Sequence, residues 1–259
     1  MADERVRDDV PTDSIQDKSY GDDVLLDSSQ DKSRGDDVPM DSSQDKLYMD
    51  AQKYWAAVSP TIDGMLGGFG NISPTDINGS KAFLRPFLKS SGGSVASTYA
   101  LDCGAGIGRI TKRLLLPIFN KVDMVEQDKH FCDTAREFIG SESGRVINIF
   151  CSGLQNFKPS KKTYDVIWCQ WVLGHLKDDD LIGFFSRCQQ ALCPGGIIVV
   201  KENTVAVGTK AFDDTDSSYT RTKDELKTLM MKADLKVLSI QKQKDFPKSL
   251  YPVYMFALR

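Results

Sequence analysis

The chain has 259 residues, which suits one domain with additional segments. Of these residues 41% are hydrophobic and 27% charged, so the chain can bury a hydrophobic core. No apolar run reaches membrane-spanning length, and the N-terminus has no apolar signal segment. The net charge of −3 conceals an uneven distribution, because residues 1–50 hold 15 acids and 6 bases while the remainder holds 21 acids and 27 bases. This dispersed basic excess does not indicate nucleic-acid binding, so we expect neither a membrane protein nor a nucleic-acid-binding protein.

The six cysteines form no C-x-x-C pair, and most of them lie in apolar strand or helix contexts. This pattern favours buried free thiols over a disulfide framework or a zinc site. We therefore expect no metal site, and a location in a reducing compartment, the cytoplasm or the nucleus. The cysteines are Cys103, Cys132, Cys151, Cys169, Cys188 and Cys193.

An acidic arm, residues 1–44, precedes the apolar part of the chain. Residues 8–49 contain three copies of a 14-residue unit that begin at Asp8, Asp22 and Asp36. Each copy is acidic, rich in serine and too short and polar to bury a face, so the arm is predicted to be disordered. It could serve as a docking or phosphorylation segment, or it could be a repeat expansion without chemistry.

A helical extension, residues 45–92, is predicted to open the domain that fills residues 45–259. Apolar and aromatic residues from Leu47 to Val58 recur at helical spacing, and the pattern ends before Pro60. The following loop, residues 61–70, is apolar yet contains four glycines. These properties suit a flexible lid over a substrate, although a simple connection is the alternative.

The rest of the domain alternates strand and helix patterns, which is typical of a parallel sheet with helices on both faces. Two further apolar runs near the C-terminus have no long helix between them, so we expect them to pair as an antiparallel end. The fold class is therefore α/β and Rossmann-like, with a mixed seven-stranded sheet. The predicted strands are 98–103, 122–126, 146–151, 165–169, 196–201, 236–241 and 251–258, and the predicted helices are 108–117, 129–139, 179–192 and 222–233.

A glycine-rich turn follows the first strand, with Gly104, Gly106 and Gly108 spaced as G-x-G-x-G. This spacing is neither the dinucleotide G-x-G-x-x-G nor the phosphate-binding G-x-x-x-x-G-K-[ST]. Glu126 lies near the end of the next strand, where an acid can accept hydrogen bonds from both hydroxyls of a ribose. The combination predicts S-adenosylmethionine, with its amino-acid end at the turn and its adenosine near Glu126.

Ligands of open α/β sheets bind at the carboxyl ends of the strands, so the residues there are the candidates for chemistry. Leu154 and Gln155 could flank the adenine, and Trp171 and Trp55 are candidate aromatic walls. A methyl acceptor nitrogen needs a free lone pair and a group that takes its proton. His175 could accept that proton or be structural, and Asp216 could share this role.

Long segments of the domain resemble the protein α-N-terminal methyltransferases, which act on N-terminal Xaa-Pro-Lys or Xaa-Pro-Arg. The resemblance extends over residues 45–259 and excludes the acidic arm. It implies a class I S-adenosylmethionine-dependent methyltransferase, and we expect a monomer that binds peptide or protein substrates with a free N-terminus. The segments that carry it are Tyr54-Trp55, Thr61–Gly70, Leu101–Leu116, Trp168–Leu176, Gly195–Lys201 with Asn203, and Asp213–Ser218.

The same resemblance implies a role for each site residue. The cofactor, which leaves as S-adenosylhomocysteine, would contact Gly104, Gly106, Arg109, Glu126, Leu154, Gln155 and Gln170. The family usually has Asp where this chain has Glu126, and the longer side chain could alter cofactor affinity. The substrate amine would lie among Asn203, His175 and Asp216, with the last two as proton acceptors. Substrate residues would contact Trp55, Leu66, Gly67, Trp171, Asp213, Asp214 and Tyr251, with Leu66, Gly67 and Trp171 around the proline and the two aspartates facing the third-position Lys or Arg.

Two other functions remain open at this level. A methyltransferase for a small amine or phenol would share the cofactor site without needing an acidic loop that recognises lysine. A non-enzymatic scaffold would keep the fold for binding and use the arm as its working part. Comparing the methylation of an Xaa-Pro-Lys peptide with that of its proline-to-alanine counterpart distinguishes the first alternative from the N-terminal methyltransferase. Deletion of residues 1–45 distinguishes the second, because the enzyme should still methylate the peptide without the arm.

Overall fold

A computed structural model of the chain describes residues 42–206, 208 and 210–259, with side chains from residue 46 onward. Residues 1–41, which contain the first two repeats and the start of the third, lie outside this range, so their disorder and role stay predictions. The rest of the third repeat, residues 42–49, is helical, so the disorder predicted for arm residues 42–44 is wrong. The first described helix, α1 (Ser42–Ala56), begins three residues before the predicted domain boundary. Among the described residues no helix has both the length and the apolar character that a membrane crossing requires.

Beyond α1, the described residues form five more α-helices and nine strands, besides short 3-10 and π-helical turns. The helices are α2 (Ile62–Met65), α3 (Ser73–Leu84), α4 (Lys129–Ile139), α5 (Asp178–Ala191) and α6 (Lys223–Lys232). The strands are β1 (Tyr99–Cys103), β2 (Lys121–Glu126), β3 (Val146–Cys151), β4 (Tyr164–Gln170), β5 (Leu192–Asn203), β6 (Ala211–Asp213), β7 (Ser218–Thr220), β8 (Val237–Lys242) and β9 (Val253–Leu258).

Seven of the strands form one mixed sheet in the order β3-β2-β1-β4-β5-β9-β8. The first five are parallel, whereas β9 runs antiparallel to both β5 and β8. The predicted seven-stranded sheet with an antiparallel end is therefore confirmed. Strand order reverses between β1 and β4, which places the carboxyl ends of both strands at the crevice where α/β sheets bind ligands.

Apolar residues cover both faces of the sheet because the central strands are buried on each side. Successive residues of β4 alternate, with Val166 and Trp168 in one cluster and Ile167 and Cys169 in the other. The first cluster packs against α3 and α4, and the second against α5 and α6. This two-sided burial explains why the strands read as continuous apolar runs and not as alternating patterns.

The helix predicted over 108–117 is shorter and wider than expected, with a π-helical turn over Thr111–Leu115. The buried carboxylate of Asp102, on β1, accepts hydrogen bonds from the Thr111 N–H at 2.9 Å and the Thr111 hydroxyl at 2.6 Å. These bonds tie the start of the helix back to the strand before the glycine turn. The backbone of that turn is thereby fixed from both sides.

The predicted lid, residues 61–70, contains the short helix α2 instead of being a plain loop. Thr61 caps this helix, since its hydroxyl accepts the Gly64 N–H at 3.0 Å. Gly67 and Gly68 follow with positive φ values of 56° and 86°. A left-handed backbone of this kind favours glycine.

The acidic stretch 213–216 lies at the turn of a small hairpin that the sequence patterns did not predict. Its strands β6 and β7 have three residues each and pair antiparallel outside the main sheet. Phe212 and Tyr219 pack across the hairpin with tilted rings, whose centroids are 4.9 Å apart. The hairpin holds the acidic stretch beside the ends of β4 and β5.

Candidate active site

The glycine turn after β1 has a backbone shape that other residues cannot adopt without strain. Gly104 has φ +66°, and a β-carbon placed on it would lie 2.3 Å from Cγ2 of Val172. Gly106 has φ +54°, and a β-carbon there would meet the sulfur of Met65 at 2.5 Å. The turn therefore keeps bare backbone at the bottom of a cavity, which is the arrangement that lets a ligand approach closely.

We expect Gly104→Ala to destabilise the protein more than Gly92→Ala does. Both glycines have positive φ, so each alanine incurs about 1–2 kcal/mol of backbone strain. A β-carbon at Gly92 meets nothing within 4 Å, whereas the one at Gly104 overlaps Val172. Thermal unfolding of the two variants measures the difference, and equal losses would show that the Val172 overlap has no effect.

The first cavity, of about 910 Å³ including space open to solvent, lies above this turn. All seven residues predicted to bind the cofactor line it: Gly104, Gly106, Arg109, Glu126, Leu154, Gln155 and Gln170. Tyr48, Ala51 and Trp55 of α1 close the cavity from the other side, together with Met65 of α2. The helical extension is thus part of the site and not only a flank of the domain.

Glu126 ends β2 at the wall of the first cavity. Its Oε2 accepts the Gly106 N–H at 2.8 Å and its Oε1 accepts the Asp128 N–H at 2.9 Å. Burial raises the pKa of Glu126 above its ordinary value, although these backbone hydrogen bonds oppose the shift. A carboxylate oxygen has room for a second hydrogen bond, so these contacts leave capacity for ribose hydroxyls.

A second cavity, of about 1210 Å³ including space open to solvent, adjoins the first. Trp55, Met65, Trp171 and His175 line both cavities, so the two meet at these four side chains. The second cavity brings together most of the predicted substrate and catalytic residues. They are Trp55, Leu66, Gly67, Trp171, His175, Asn203, Asp216 and Tyr251.

Asp213 and Asp214 are the two predicted site residues that do not line either cavity. Both are exposed, and Oδ1 of Asp213 accepts the N–H of Thr215 at 2.8 Å. They lie on the hairpin three and two residues before Asp216, which does line the second cavity. Their placement outside the cavity fits contact with a side chain that remains in solvent, and does not fit a role at the reacting nitrogen.

Trp171, directly after β4, has a backbone φ of +53°, which is uncommon for a bulky residue. Arg109 lies over one face of its indole at 5.6 Å from the ring centroid, and Phe246 stacks at 6.5 Å. Its indole N–H is buried without a hydrogen-bond partner in the described part of the chain. Trp171 lines both cavities, and its role as an aromatic wall for the substrate stays a prediction.

His175 and Asp216 both line the second cavity, but they differ in how many hydrogen bonds they already make. Nε2 of His175 accepts the indole N–H of Trp55 at 3.0 Å, and Nδ1 lies 3.4 Å from the carbonyl oxygen of Ser217. Oδ1 of Asp216, in contrast, is buried and has no hydrogen-bond partner among the described residues. A buried carboxylate oxygen of this kind is ready to bind a donor from a ligand.

Sequence reasoning missed Asp76, which links three of the elements around the first cavity. Its Oδ2 lies 2.6 Å from Nη1 of Arg109, and its Oδ1 lies 2.5 Å from Nζ of Lys201 and accepts the Gln170 amide N–H at 2.8 Å. Asp76 and Lys201 are fully buried. No local signal distinguishes an aspartate in α3, because its partners are 33 to 125 residues away in the sequence.

Glu202, next to Asn203 on β5, was missed as well. Its Oε1 accepts the N–H groups of Val172 and Leu173 at 2.9 and 2.8 Å, which fixes the segment between β4 and His175. Burial raises the pKa of Glu202 to about 7, although these hydrogen bonds oppose the shift. Burial likewise raises the pKa of Asp102 to about 7.

We expect the free energy of unfolding to fall as pH rises from about 4.5 to about 7. Both carboxyls have a higher pKa in the folded protein than in the unfolded chain, so the folded state holds more protons in this range. The stability they contribute is therefore complete at low pH and lost as each ionises. Urea unfolding at pH 5.5 and 8 should show the fall, and Glu202→Gln should reduce it because the amide oxygen still accepts both N–H groups. An unchanged fall in this variant would contradict the assignment to Glu202.

Comparison with known proteins identifies the family. The AdoMet-dependent proline di-methyltransferase family matches residues 43–259. N-terminal Xaa-Pro-Lys N-methyltransferase 1 of Xenopus tropicalis is 52% identical over 213 residues, which cover 82% of this chain and 95% of the relative. Its human namesake is 49% identical over 212 residues, with the same two coverages of 82% and 95%.

Solved structures give the same fold. A SAM-dependent methyltransferase from Leishmania major is 35% identical with a TM-score of 0.77, covering 82% of this chain and 83% of that one. A phosphoethanolamine N-methyltransferase from Haemonchus contortus is 16% identical with a TM-score of 0.66, covering 85% and 50%, and it shows the fold alone. The predictions of a class I fold, of S-adenosylmethionine as the methyl donor and of the family are confirmed. On the strength of the match over residues 43–259, this chain belongs to the AdoMet-dependent proline di-methyltransferase family.

Proposed function

We propose that the chain transfers methyl groups from S-adenosylmethionine to the α-amino nitrogen of proteins that begin with Xaa-Pro-Lys or Xaa-Pro-Arg. The observation that carries the proposal is the junction of the two cavities at Trp55, Met65, Trp171 and His175, with an unpartnered carboxylate oxygen on the substrate side. The printed names of the relatives, N-terminal Xaa-Pro-Lys N-methyltransferases, support the same substrate class.

The first cavity has the features that the methyl donor requires. Glu126 would accept hydrogen bonds from the ribose, Leu154 and Gln155 would flank the adenine, and Arg109 would face the carboxylate of the amino-acid end. The amide of Gln170 is already held by Asp76 and by the indole N–H of Trp168 at 3.0 Å, so its own role is to form the wall. When bound, the donor supplies a sulfonium-activated methyl group.

The second cavity suits a chain end whose second residue is proline. Leu66, Gly67 and Trp171 would surround the pyrrolidine ring, and proline lacks the N–H that an apolar slot would leave unsatisfied. Asn203 is half-buried at the end of β5, where its amide can hydrogen-bond the amine or the first carbonyl of the substrate. Trp55 and Tyr251 would contact the peptide at the junction and at the rim.

The chemistry favours an α-amine over a lysine side chain. The α-amino group has a pKa near 8 and lysine one near 10.4, so removing the proton at pH 7 costs about 1 and about 4.6 kcal/mol respectively. Asp216 and His175, which line the second cavity, are proton acceptors suited to the weaker base. Product amines retain a lone pair after one or two transfers, so repeated methylation is open to this site.

The test is the mass of a short Xaa-Pro-Lys peptide after incubation with purified protein and S-adenosylmethionine. We expect successive gains of methyl groups on the first residue, and none on the same peptide with alanine in place of proline. Label on side chains only, or equal methylation of both peptides, would refute the proposed substrate class. Methylation of a small amine or phenol instead of either peptide would support the alternative enzyme.

We predict that Asp213→Asn with Asp214→Asn weakens methylation most for peptides with Lys or Arg at position three. These carboxylates are exposed on the hairpin, where they can attract a cationic side chain that extends from the second cavity. The measurement is kcat/KM for Xaa-Pro-Lys and Xaa-Pro-Gln peptides in parallel. An equal loss for both peptides would show that the aspartates do not recognise the cation.

Protein substrates are thus the partners we propose, with the enzyme acting as a monomer in the cytoplasm or nucleus. All six cysteines are free thiols, which fits a reducing compartment. Four of them are buried in the domain. We propose no role for nucleic acid or membrane in the reaction.

A further inference from the structure

Two thiols lie on the turn that connects β2 to α4, beside the wall of the first cavity. Cys132, in the first turn of α4, donates its S–H to the carbonyl oxygen of Glu126 at 3.6 Å. Cys151, the last residue of β3, donates its S–H to the carbonyl oxygen of Gln127 at 3.6 Å. Because the two acceptors are consecutive residues, both sulfurs are held at the same short piece of backbone.

The two thiols are also in contact with each other. Cys151 is the partner of Glu126 in the register of β2 and β3. The Glu126 carbonyl that accepts the Cys132 thiol also accepts the N–H of Ser152 at 2.9 Å, so Cys132 lies against the end of β3. Burial, the charge of Cys151 and a hydrogen bond to its thiol all act to raise the pKa of Cys132, which reaches about 12.

The two thiols differ in their access to solvent. All six cysteines lie in the described residues, and Cys151 is the one that is exposed, whereas Cys132 is 8% exposed. A dissolved oxidant therefore reaches Cys151 first. Cys132 is the adjacent thiol that can then react with the oxidised sulfur, which is the arrangement of a reactive cysteine beside a resolving one.

The other four cysteines do not combine access with a neighbouring thiol. Cys103 and Cys169 are register partners on β1 and β4, but they are 1% and 0% exposed. Cys188 is also buried, and Cys193 is half-buried with its thiol donating to the carbonyl oxygen of Lys162 at 3.3 Å. These four thiols therefore serve as internal controls for the reactivity of the exposed pair.

We propose that Cys132 and Cys151 are a redox-active pair, which hydrogen peroxide converts to a disulfide that weakens binding of the methyl donor. The sulfur of Cys151 attacks one peroxide oxygen, the O–O bond breaks, and the thiol proton leaves with the other oxygen as water. The sulfur of Cys132 then forms the S–S bond as the S–O bond of the sulfenic acid breaks, which releases a second water. Two thiols are oxidised and one peroxide is reduced, and a dithiol reductant reverses the change.

The disulfide would disturb the wall of the first cavity. An S–S bond is about 2.0 Å long, much shorter than a contact between free thiols, so it draws the end of β3 and the start of α4 together. It also has no S–H left to donate to the two carbonyl oxygens of the turn. Phe131 and Ser152, each next to one of the two cysteines, line the first cavity, as does Glu126. The effect on the donor rests on its proposed position at Glu126, whereas formation of the disulfide does not.

The first test is a peptide map of the wild-type protein after treatment with hydrogen peroxide, alkylation of the remaining thiols and digestion with trypsin without reductant. Trypsin cuts after lysine and arginine, so it places the two cysteines in separate peptides, residues 130–136 and 146–161. We expect these peptides to be joined, and to separate when dithiothreitol precedes alkylation. A sulfinic acid at Cys151 with Cys132 still free, or a bond between two copies of peptide 146–161, would overturn the proposal.

The second test is the affinity for S-adenosylhomocysteine, measured by calorimetry on oxidised and on reduced protein. We expect oxidation to weaken binding about tenfold, the effect of losing one hydrogen bond to a charged group. Peroxide should weaken binding by Cys193→Ser as much as by the wild type, because that thiol takes no part. It should not change the affinity of Cys132→Ser or Cys151→Ser, since each lacks one partner of the disulfide.

The outcomes separate this proposal from the proposed function. Protein that carries the disulfide but binds S-adenosylhomocysteine as tightly as reduced protein would overturn the effect on the donor site, and so would an equal loss in Cys151→Ser. Reduced wild-type protein that does not bind S-adenosylhomocysteine would refute the proposed function instead. The peptide map needs no ligand and no variant, so it tests the disulfide in either case.

Discussion

Asp216→Asn should lower kcat for an Xaa-Pro-Lys peptide by about 10²–10⁴, the range for loss of a group that accepts a proton. Asparagine keeps the shape of the side chain but cannot take the proton or balance the positive charge that develops on nitrogen. Asp216 lines the second cavity and not the first, so binding of S-adenosylhomocysteine should stay near the wild-type value. Single-turnover kinetics with saturating donor and peptide measures the chemical step directly.

Asp133→Asn is the matched control for this experiment. Asp133 lies on α4 with an exposed side chain, paired to Lys129 at the surface. The same chemical change there should leave both kcat and donor binding unaltered. A kcat for Asp216→Asn within about threefold of the wild type would contradict its role, because loss of the proton acceptor should lower kcat far more.

Asp76→Ala should lower the free energy of unfolding by about 3–5 kcal/mol, the usual loss when one partner of a buried ion pair is removed. The variant leaves the ammonium of Lys201, which is 0% exposed, and the guanidinium of Arg109 without their counter-charge. Lys201 keeps hydrogen bonds to Ser80 and Gln243, but neither of these neutral groups balances its charge. Urea denaturation followed by circular dichroism gives the loss.

Two comparisons separate this effect from a general sensitivity to substitution. Asp133→Ala removes a carboxylate from an exposed ion pair and should leave the unfolding midpoint nearly unchanged, because solvent screens such pairs. Lys201→Met in the Asp76→Ala background should cost less than the sum of the two single changes, since the unpaired charge is gone. Equal shifts for Asp76→Ala and Asp133→Ala would refute the buried network.

The sheet could be predicted because each of its strands is a run of apolar residues bounded by polar turns. The β4 prediction, 165–169, falls within Tyr164–Gln170, and the prediction for β2 misses one residue. The β5 prediction began at 196, whereas the strand begins at Leu192, because Pro194 and two glycines read as a turn. The position of the first cavity could also be predicted, because the spacing of the glycine turn and Glu126 is a local signal in the sequence.

Contacts between distant segments could not be predicted from local patterns. The Trp55–His175 hydrogen bond joins residues 120 positions apart, and the Lys201–Asp76 pair joins residues 125 apart. Each partner is an ordinary helix or strand residue until the chain folds. The hairpin β6–β7 could not be predicted either, because strands of three residues are too short to show the two-residue alternation of a strand.

Asp76 pairs with two cations in different places, because Arg109 belongs to the wall of the first cavity and Lys201 to the middle of the sheet. We therefore expect a substitution at Asp76 that changes how Arg109 binds the methyl donor to lower the stability of the protein as well. Engineering a weaker or altered donor site should begin at Met65 or Leu154, whose apolar side chains line the first cavity and take no part in these ion pairs.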